Sequence, residues 1–304
     1  MSSALLTLVL MQYVVSVKAG LVNHVQGTAN VVEMEQVRQG HSVQTADNGY
    51  VELLLTPGSF LRIGENSSVV LDDVDLESVS LHILRGPAVI EVIDINKRYP
   101  IKVKTAELTT NIVATGIYRF EDGVATVLDG KLQTADSKLT YQKGWQVFIK
   151  DNYRARKVRK IQTTSLDMFS QARSETIASA NASLAASLNP SSILSDPFWL
   201  FSPTFNCYTF MPHRDYRSPY GYQYYPAGRR VVVQQRSTTQ SGGLTNTSGT
   251  GGATSPPANN TPADSGGGGG GGGPAPVTVS TPAGERTAPA VYIESKSTPV
   301  GATQ

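Results

Sequence analysis

The sequence predicts an all-β domain of short strands, a sandwich or a β-helical roll, followed by one helix and a low-complexity tail. Three observations predict it. Turn signals at Gly27, Gly40, Asn48-Gly49, Pro57-Gly58, Gly64, Gly86, Asp122-Gly123, Asp129-Gly130 and Gly144 recur at roughly the 8–12-residue spacing of all-β architectures. Between them apolar side chains alternate, as in Ile101-Lys102-Val103-Lys104-Thr105, the period of a strand with one buried face. Of the 28 glycines, most of the excess falls after residue 240, where charge and apolar content also thin out.

Taken in order, residues 1–19 are a signal-like apolar segment or a first strand. Ala4 to Met11 is apolar, and Lys18-Ala19-Gly20 could close a signal sequence. No Lys or Arg precedes the run, and it is short of the roughly 20 apolar residues of a membrane helix. Residues 20–150 form the β domain. Its most informative stretch is Ile101 to Leu132. There Asn111–Phe120 reads as one apolar strand, and Val124–Leu128 as the next, with Asp-Gly turns on either side. Gly116 interrupts the strand pattern, which marks a bulge or a close backbone approach. The acidic run Asp72 to Glu77 lacks the glycine and terminal glutamate of a calcium loop and reads as a solvated turn.

This stretch resembles the FecR domain. The resemblance rests on Val103-Lys104-Thr105, Ala114-Thr115-Gly116-Ile117-Tyr118-Arg119-Phe120 and Val124-Ala125-Thr126-Val127-Leu128-Asp129-Gly130. Upstream, Gly40 with Val43-Gln44-Thr45, Gly58-Ser59-Phe60-Leu61-Arg62-Ile63 and Leu84-Arg85-Gly86 follow in the family's order, and Gly144 with Val147 closes the domain. Pro57 and Ile117 depart from the family pattern. The resemblance implies a FecR-type β fold and a bacterial envelope protein that receives a signal or binds a partner, without catalysis or cofactor. In the family's sigma-factor regulators a cytoplasmic segment and a membrane helix precede the domain. A transmembrane regulator lacking that part is therefore the second reading.

Residues 151–190 read as a basic connector and an amphipathic helix. Ser165 is the expected N-cap, Leu166, Phe169, Ile177, Ala180, Leu184 and Leu188 the apolar stripe, and Asn189-Pro190 the stop. Residues 191–235 are an aromatic, Pro-rich segment expected to pack on the β domain, with Val231-Val232-Val233 a candidate last strand. Residues 236–304, including the unbroken run Gly266 to Gly273, bury too little apolar surface to offset ordering entropy and are expected to be disordered.

The chemistry points to binding. A net charge of +2 gives no general pull toward nucleic acid or membrane. The 4 histidines lack metal-ligand spacing, so no metal is expected. Cys207 lies in no nucleophile signature, no serine sits in a Gly-x-Ser-x-Gly elbow, and the glycine run lacks the Lys-Ser/Thr of a phosphate loop. Two groups remain. Trp199, Tyr208, Tyr216, Tyr220 and Tyr222 either pack or offer flat faces to a ligand or partner. Arg154, Arg156, Lys157, Arg159 and Lys160 are either a solvated connector or an anion contact. The expectation is a non-enzymatic, cofactor-free bacterial protein, periplasmic, outer-membrane-associated or secreted. It binds an envelope protein or an extracellular polysaccharide, not nucleic acid, and open β edges leave self-association available.

Overall fold

The computed structural model describes residues 18–105, 108–121, 123–148, 154–188 and 196–229. The apolar start before Lys18, Val231-Val232-Val233 and the tail 236–304 lie outside the described residues.

Alternation builds two sheets. One holds eight strands in the order β1 (Leu21–Gln26), β3 (Tyr50–Leu54), β4 (Ser59–Ile63), β7 (Ala88–Val92), β10 (Gly116–Glu121), β11 (Val124–Asp129), β14 (Trp145–Phe148) and β15 (Arg154–Lys157). The other holds seven, in the order β13 (Thr140–Gln142), β12 (Lys131–Thr134), β9 (Leu108–Ile112), β8 (Ile101–Thr105), β6 (Ser80–Arg85), β5 (Ser68–Asp73) and β2 (Ser42–Gln44). β6 and β8 run parallel, and the other pairings are antiparallel. Val51, Leu53, Leu61, Ile63, Ile90 and Tyr118 of the first sheet share one core with Val69, Leu71, Leu81, Val103 and Ile112 of the second. Two inner faces meeting across a common core define a sandwich rather than a roll.

The stretch from Asn111 to Phe120 is two strands, not one: β9 ends at Ile112 in one sheet and β10 starts at Gly116 in the other. Likewise Asp129-Gly130 is no hairpin turn, because β11 and β12 belong to different sheets. Both crossings meet at Gly116 and Gly130. A Cβ on Gly116 would come within 2.3 Å of the Asp129 carbonyl oxygen, and one on Gly130 (φ +94°) within 2.2 Å of the Tyr118 hydroxyl. That hydroxyl donates to the Ala114 carbonyl at 2.8 Å and accepts from the Lys131 amide at 2.9 Å, pinning one corner to the other.

A third layer covers the outer face of the eight-stranded sheet. It consists of helix α1 (Ser165–Ser187) and two hairpins, β16 (Phe198–Ser202) with β17 (Cys207–Met211) and β18 (Tyr216–Arg217) with β19 (Gln223–Tyr224). Leu21, Leu54, Phe60 and Ile93 of the sheet side pack there against Ile177 and Ala178 of the helix and Trp199, Phe210 and Tyr224 of the hairpins. This explains why every residue of β3, β4 and β7 is buried, although those strands carry charges.

Two expectations are corrected here. Arg154 to Lys157, read as part of a connector, is the last strand of the eight-stranded sheet. A short run with three cations carries no apolar period to announce it. The helix is capped by Thr164, not Ser165: the Thr164 side chain accepts from the Asp167 amide, and the Asp167 carboxylate accepts from the Thr164 amide. This capping box shifts the start by one residue. The buried face includes Asp167, Ser170, Arg173, Ser174 and Asn181 beside Leu166 and Ile177, so the thin apolar stripe is completed by polar groups.

Candidate functional site: a polar layer, a cleft and a basic edge

The outward positions of β3, β4, β7 and β10 bring Glu52, Arg62, Glu91 and Arg119 under the helix. Arg62, fully buried, donates from Nε to Glu52 and from Nη1 to Glu91, each at 2.8 Å, and from Nη1 to the Ser170 hydroxyl at 2.8 Å. Arg173 donates to Glu52 at 3.0 Å, the Ser174 hydroxyl to Glu91 at 2.8 Å, and Asn23 to Glu52 at 2.8 Å. Arg119 pairs with Asp167, the same carboxylate that closes the helix cap. Burial alone would raise the Glu52 carboxyl, but the Arg173 and Arg62 guanidiniums overrule it and hold it at about 2. Glu91 meets one guanidinium rather than two, and burial leaves its pKa raised.

Two buried asparagines join the hairpins to this layer. Asn23 accepts from the Tyr208 amide at 2.6 Å and donates to the Tyr208 carbonyl at 3.1 Å. Asn181 donates to the Phe210 and Tyr225 carbonyls and accepts from the Tyr225 amide. The layer therefore fixes how helix and hairpins seat on the sheet. Among the described residues it has no open access, since Glu52, Arg62 and Glu91 are all fully buried.

The five aromatic candidates divide. Trp199 is 1% exposed, edge-on to Phe60 and Phe210, and Tyr208 is 8% exposed beside Phe201. As the structure stands, neither presents a face to a ligand; they pack. Tyr220 is half-buried and donates to the Ser170 hydroxyl at 2.8 Å, with burial pushing its own hydroxyl up to about 12. Tyr222 is half-buried beside Glu175. Tyr220 also lines a polar cleft of about 400 Å³ with Thr115, Asp129 and Arg217, while Tyr216 reaches a cleft with apolar walls.

That cleft, of about 410 Å³, lies where the first hairpin turn of the sheet meets the aromatic segment. Its apolar surface comes from Pro57, Leu76, Ile95 and Pro197, and its rings from Tyr99, Tyr216 and His213. Glu77, Asp94, Asn96 and Thr56 add hydrogen-bonding groups. The His213 ring stands edge-on to Tyr216, and the Arg214 guanidinium lies over the Tyr216 ring, 4.9 Å from its centroid. Burial raises the Tyr216 hydroxyl, with Asp94 acting the same way.

The five cations sit at the end of the eight-stranded sheet and just beyond it, and Arg154, Arg156, Lys157, Arg159 and Lys160 are all exposed. Arg156 lies over the Phe148 ring at 5.0 Å and donates to Gln146. Cys207 is buried and its thiol is pushed up to about 11, first by burial, which leaves it a poor nucleophile at neutral pH. Among the described residues no three His, Cys, Asp or Glu side chains group to hold a metal ion. No helix among them is long and apolar enough to cross a membrane.

Sequence reasoning missed the polar layer and most of the cleft. Glu52, Arg62 and Glu91 occupy the polar phase of alternating strands, which in a two-layer sandwich faces water. Only the later helix buries them. Asp94 and Tyr99 come from the β7–β8 loop and His213 from the loop after β17, and no spacing links them.

The architecture is a two-sheet sandwich closed on one outer face by its own helix and aromatic hairpins. Residues 41–133 match the family described as FecR protein, so the chain carries a FecR domain. Two crystal structures from Parabacteroides distasonis ATCC 8503, both provisionally described as anti-sigma factors, show a distant likeness. One is 11% identical over 44% of this chain and 64% of its own, with a TM-score of 0.34. The other is 12% identical over 57% and 85%, with the same score of 0.34. No curated protein matches the sequence.

Proposed function

We propose that this FecR-domain protein is a non-catalytic binding module of the bacterial cell envelope, and that it holds a surface glycan in the cleft beside Tyr216. The observation that carries this reading is the make-up of the cleft. Tyr99 and Tyr216 supply rings next to an apolar floor of Pro57, Leu76 and Ile95, while Glu77, Asp94 and Asn96 supply acceptors. A sugar ring has an apolar face and a rim of hydroxyl donors, and rings beside carboxylates and amides match both. Two carboxylates on the rim favour neutral or amino sugars and repel uronic acids.

The test is binding of the whole protein to a panel of neutral, N-acetylated and uronate polysaccharides. Neutral or N-acetylated polymers are expected to bind, and Tyr99→Ala and Asp94→Asn each to weaken binding at least about tenfold, the loss of roughly one good contact. Unchanged thermal melting shows that the variants fold. Preference for uronates, or full binding by both variants, would overturn the cleft assignment.

A further inference from the structure

Four strands end the two sheets, and they are not treated alike. At β1, residues beyond the strand continue the pairing: Leu21 bridges Gln36, the Val22 amide donates to the Glu35 carbonyl, and the Val37 amide donates to the Gly20 carbonyl. At β2, Ala29 bridges Thr45, and Asn30 donates to the Ser42 carbonyl and accepts from the Gln44 amide. Both ends are thus closed by the chain's own loop. β13 and β15 have no such cover among the described residues. β13 is three residues long; β15 is four and strongly basic.

Lysine or arginine on an edge ordinarily blocks edge-to-edge pairing. Here the block is selective. Two copies of β15 would set like charges opposite one another, which destabilises pairing. A strand with carboxylates on one face would meet cations instead. Register places Arg154 opposite Phe148 and Arg156 opposite Gln146, so both side chains share the outer face, roughly 7 Å apart along the strand. Arg156 is already held: its guanidinium rests on Phe148 and its Nε and Nη2 donate to Gln146 Oε1 at 3.3 and 3.1 Å. Beside it Val124, Thr126 and Glu121 line a shallow groove of about 230 Å³. Among the described residues, none of the five cations lies within ion-pair distance of a carboxylate, whereas the interior Arg62, Arg119 and Arg173 are all paired.

We infer that β15 is a docking edge for an extended acidic segment of a partner protein, one with carboxylates at alternate positions. The segment adds a ninth strand to the sheet through main-chain hydrogen bonds, and Arg154 and Arg156 read its acidic face. Lys157, Arg159 and Lys160 speed encounter with the acidic chain. The inference stands apart from the glycan cleft, which lies on other residues.

The test uses the full chain and a twelve-residue peptide alternating Glu with Val and Thr, against a peptide of the same composition with its glutamates in one block. Anisotropy measures affinity and hydrogen exchange reads the amides of residues 154–158. The alternating peptide is expected to bind at least about tenfold tighter than the block peptide, to weaken with added salt, and to protect those amides. The exposed double change Arg154→Glu with Arg156→Glu is expected to abolish that binding and to create affinity for the matching lysine peptide. Equal binding of the two peptides, or binding without protection of residues 154–158, would show simple polyanion adsorption and overturn the inference. So would stronger binding of an acidic polysaccharide that displaces the peptide.

Discussion

Glu52 and Glu91 share one guanidinium and sit in opposite balance. Glu52 has Arg62, Arg173 and Asn23 around it; Glu91 has Arg62 and a serine hydroxyl. Removing one partner of a buried pair costs about 3–5 kcal/mol, because the remaining charge is stranded out of water. Glu52→Gln, which strands parts of two guanidiniums, is therefore expected to destabilise more than Glu91→Gln in chemical denaturation at neutral pH; the reverse order would contradict the account. The pH dependence has a definite sign. Glu52 is held at about 2, below its ordinary 4.5, so its contribution is complete above 4.5 and is lost as pH falls toward 2. Glu91 is shifted upward by burial, so its ionisation weakens the fold as pH rises through its pKa. The melting temperature of the native protein is expected to fall between about pH 4.5 and 2, and Glu52→Gln to flatten that fall.

At the scale of the element, helix α1 is held less by an apolar stripe than by its cap and its polar face. Thr164 and Asp167 satisfy each other's amides, and Asp167 also receives Arg119 from β10, so the first turn is tied to the sheet. Replacing a threonine N-cap by alanine costs about 1 kcal/mol. Thr164→Ala is expected to lose that much in global stability and to speed hydrogen exchange in the first turn of the helix before the sandwich strands. Uniform exchange would show instead that helix and sheet open together. Ser165 competed well as a cap in the sequence because serine is at least as good an N-cap as threonine; the choice fell to Thr164, whose partner three positions on is an acid.

For the whole molecule, the third layer is structural cover. Without residues after Lys160, Leu54, Phe60 and Ile93 lose Ile177, Trp199 and Phe210, and Glu52 loses Arg173. A chain ended there is expected to aggregate or to elute as large species in size-exclusion chromatography, although it contains the whole FecR match at 41–133. A monomeric, cooperatively melting fragment would show that the helix and hairpins are accessory.

Much of the sandwich was legible in the sequence. Alternation in Ile101–Thr105, with glycine turns between the apolar runs, is a local property: period and turn chemistry depend on neighbours along the chain. Gly116 was legible as a bulge or a close backbone approach, and the structure shows the close approach, to the Asp129 carbonyl. Three things were decided in space. The split of Asn111–Phe120 between two sheets depends on which strands lie alongside. The burial of Glu52, Arg62 and Glu91 depends on a helix more than 70 residues later in sequence, which turns the solvent face of an alternating strand into an interior. The cleft gathers Thr56, Asp94 and Tyr99 from two loops and Tyr216 from strand β18, with no common period. Sequence by itself determined the β class and the strands with a clear period; tertiary structure alone determined how the chain divides between the sheets and what meets each face, because that depends on contacts between distant segments.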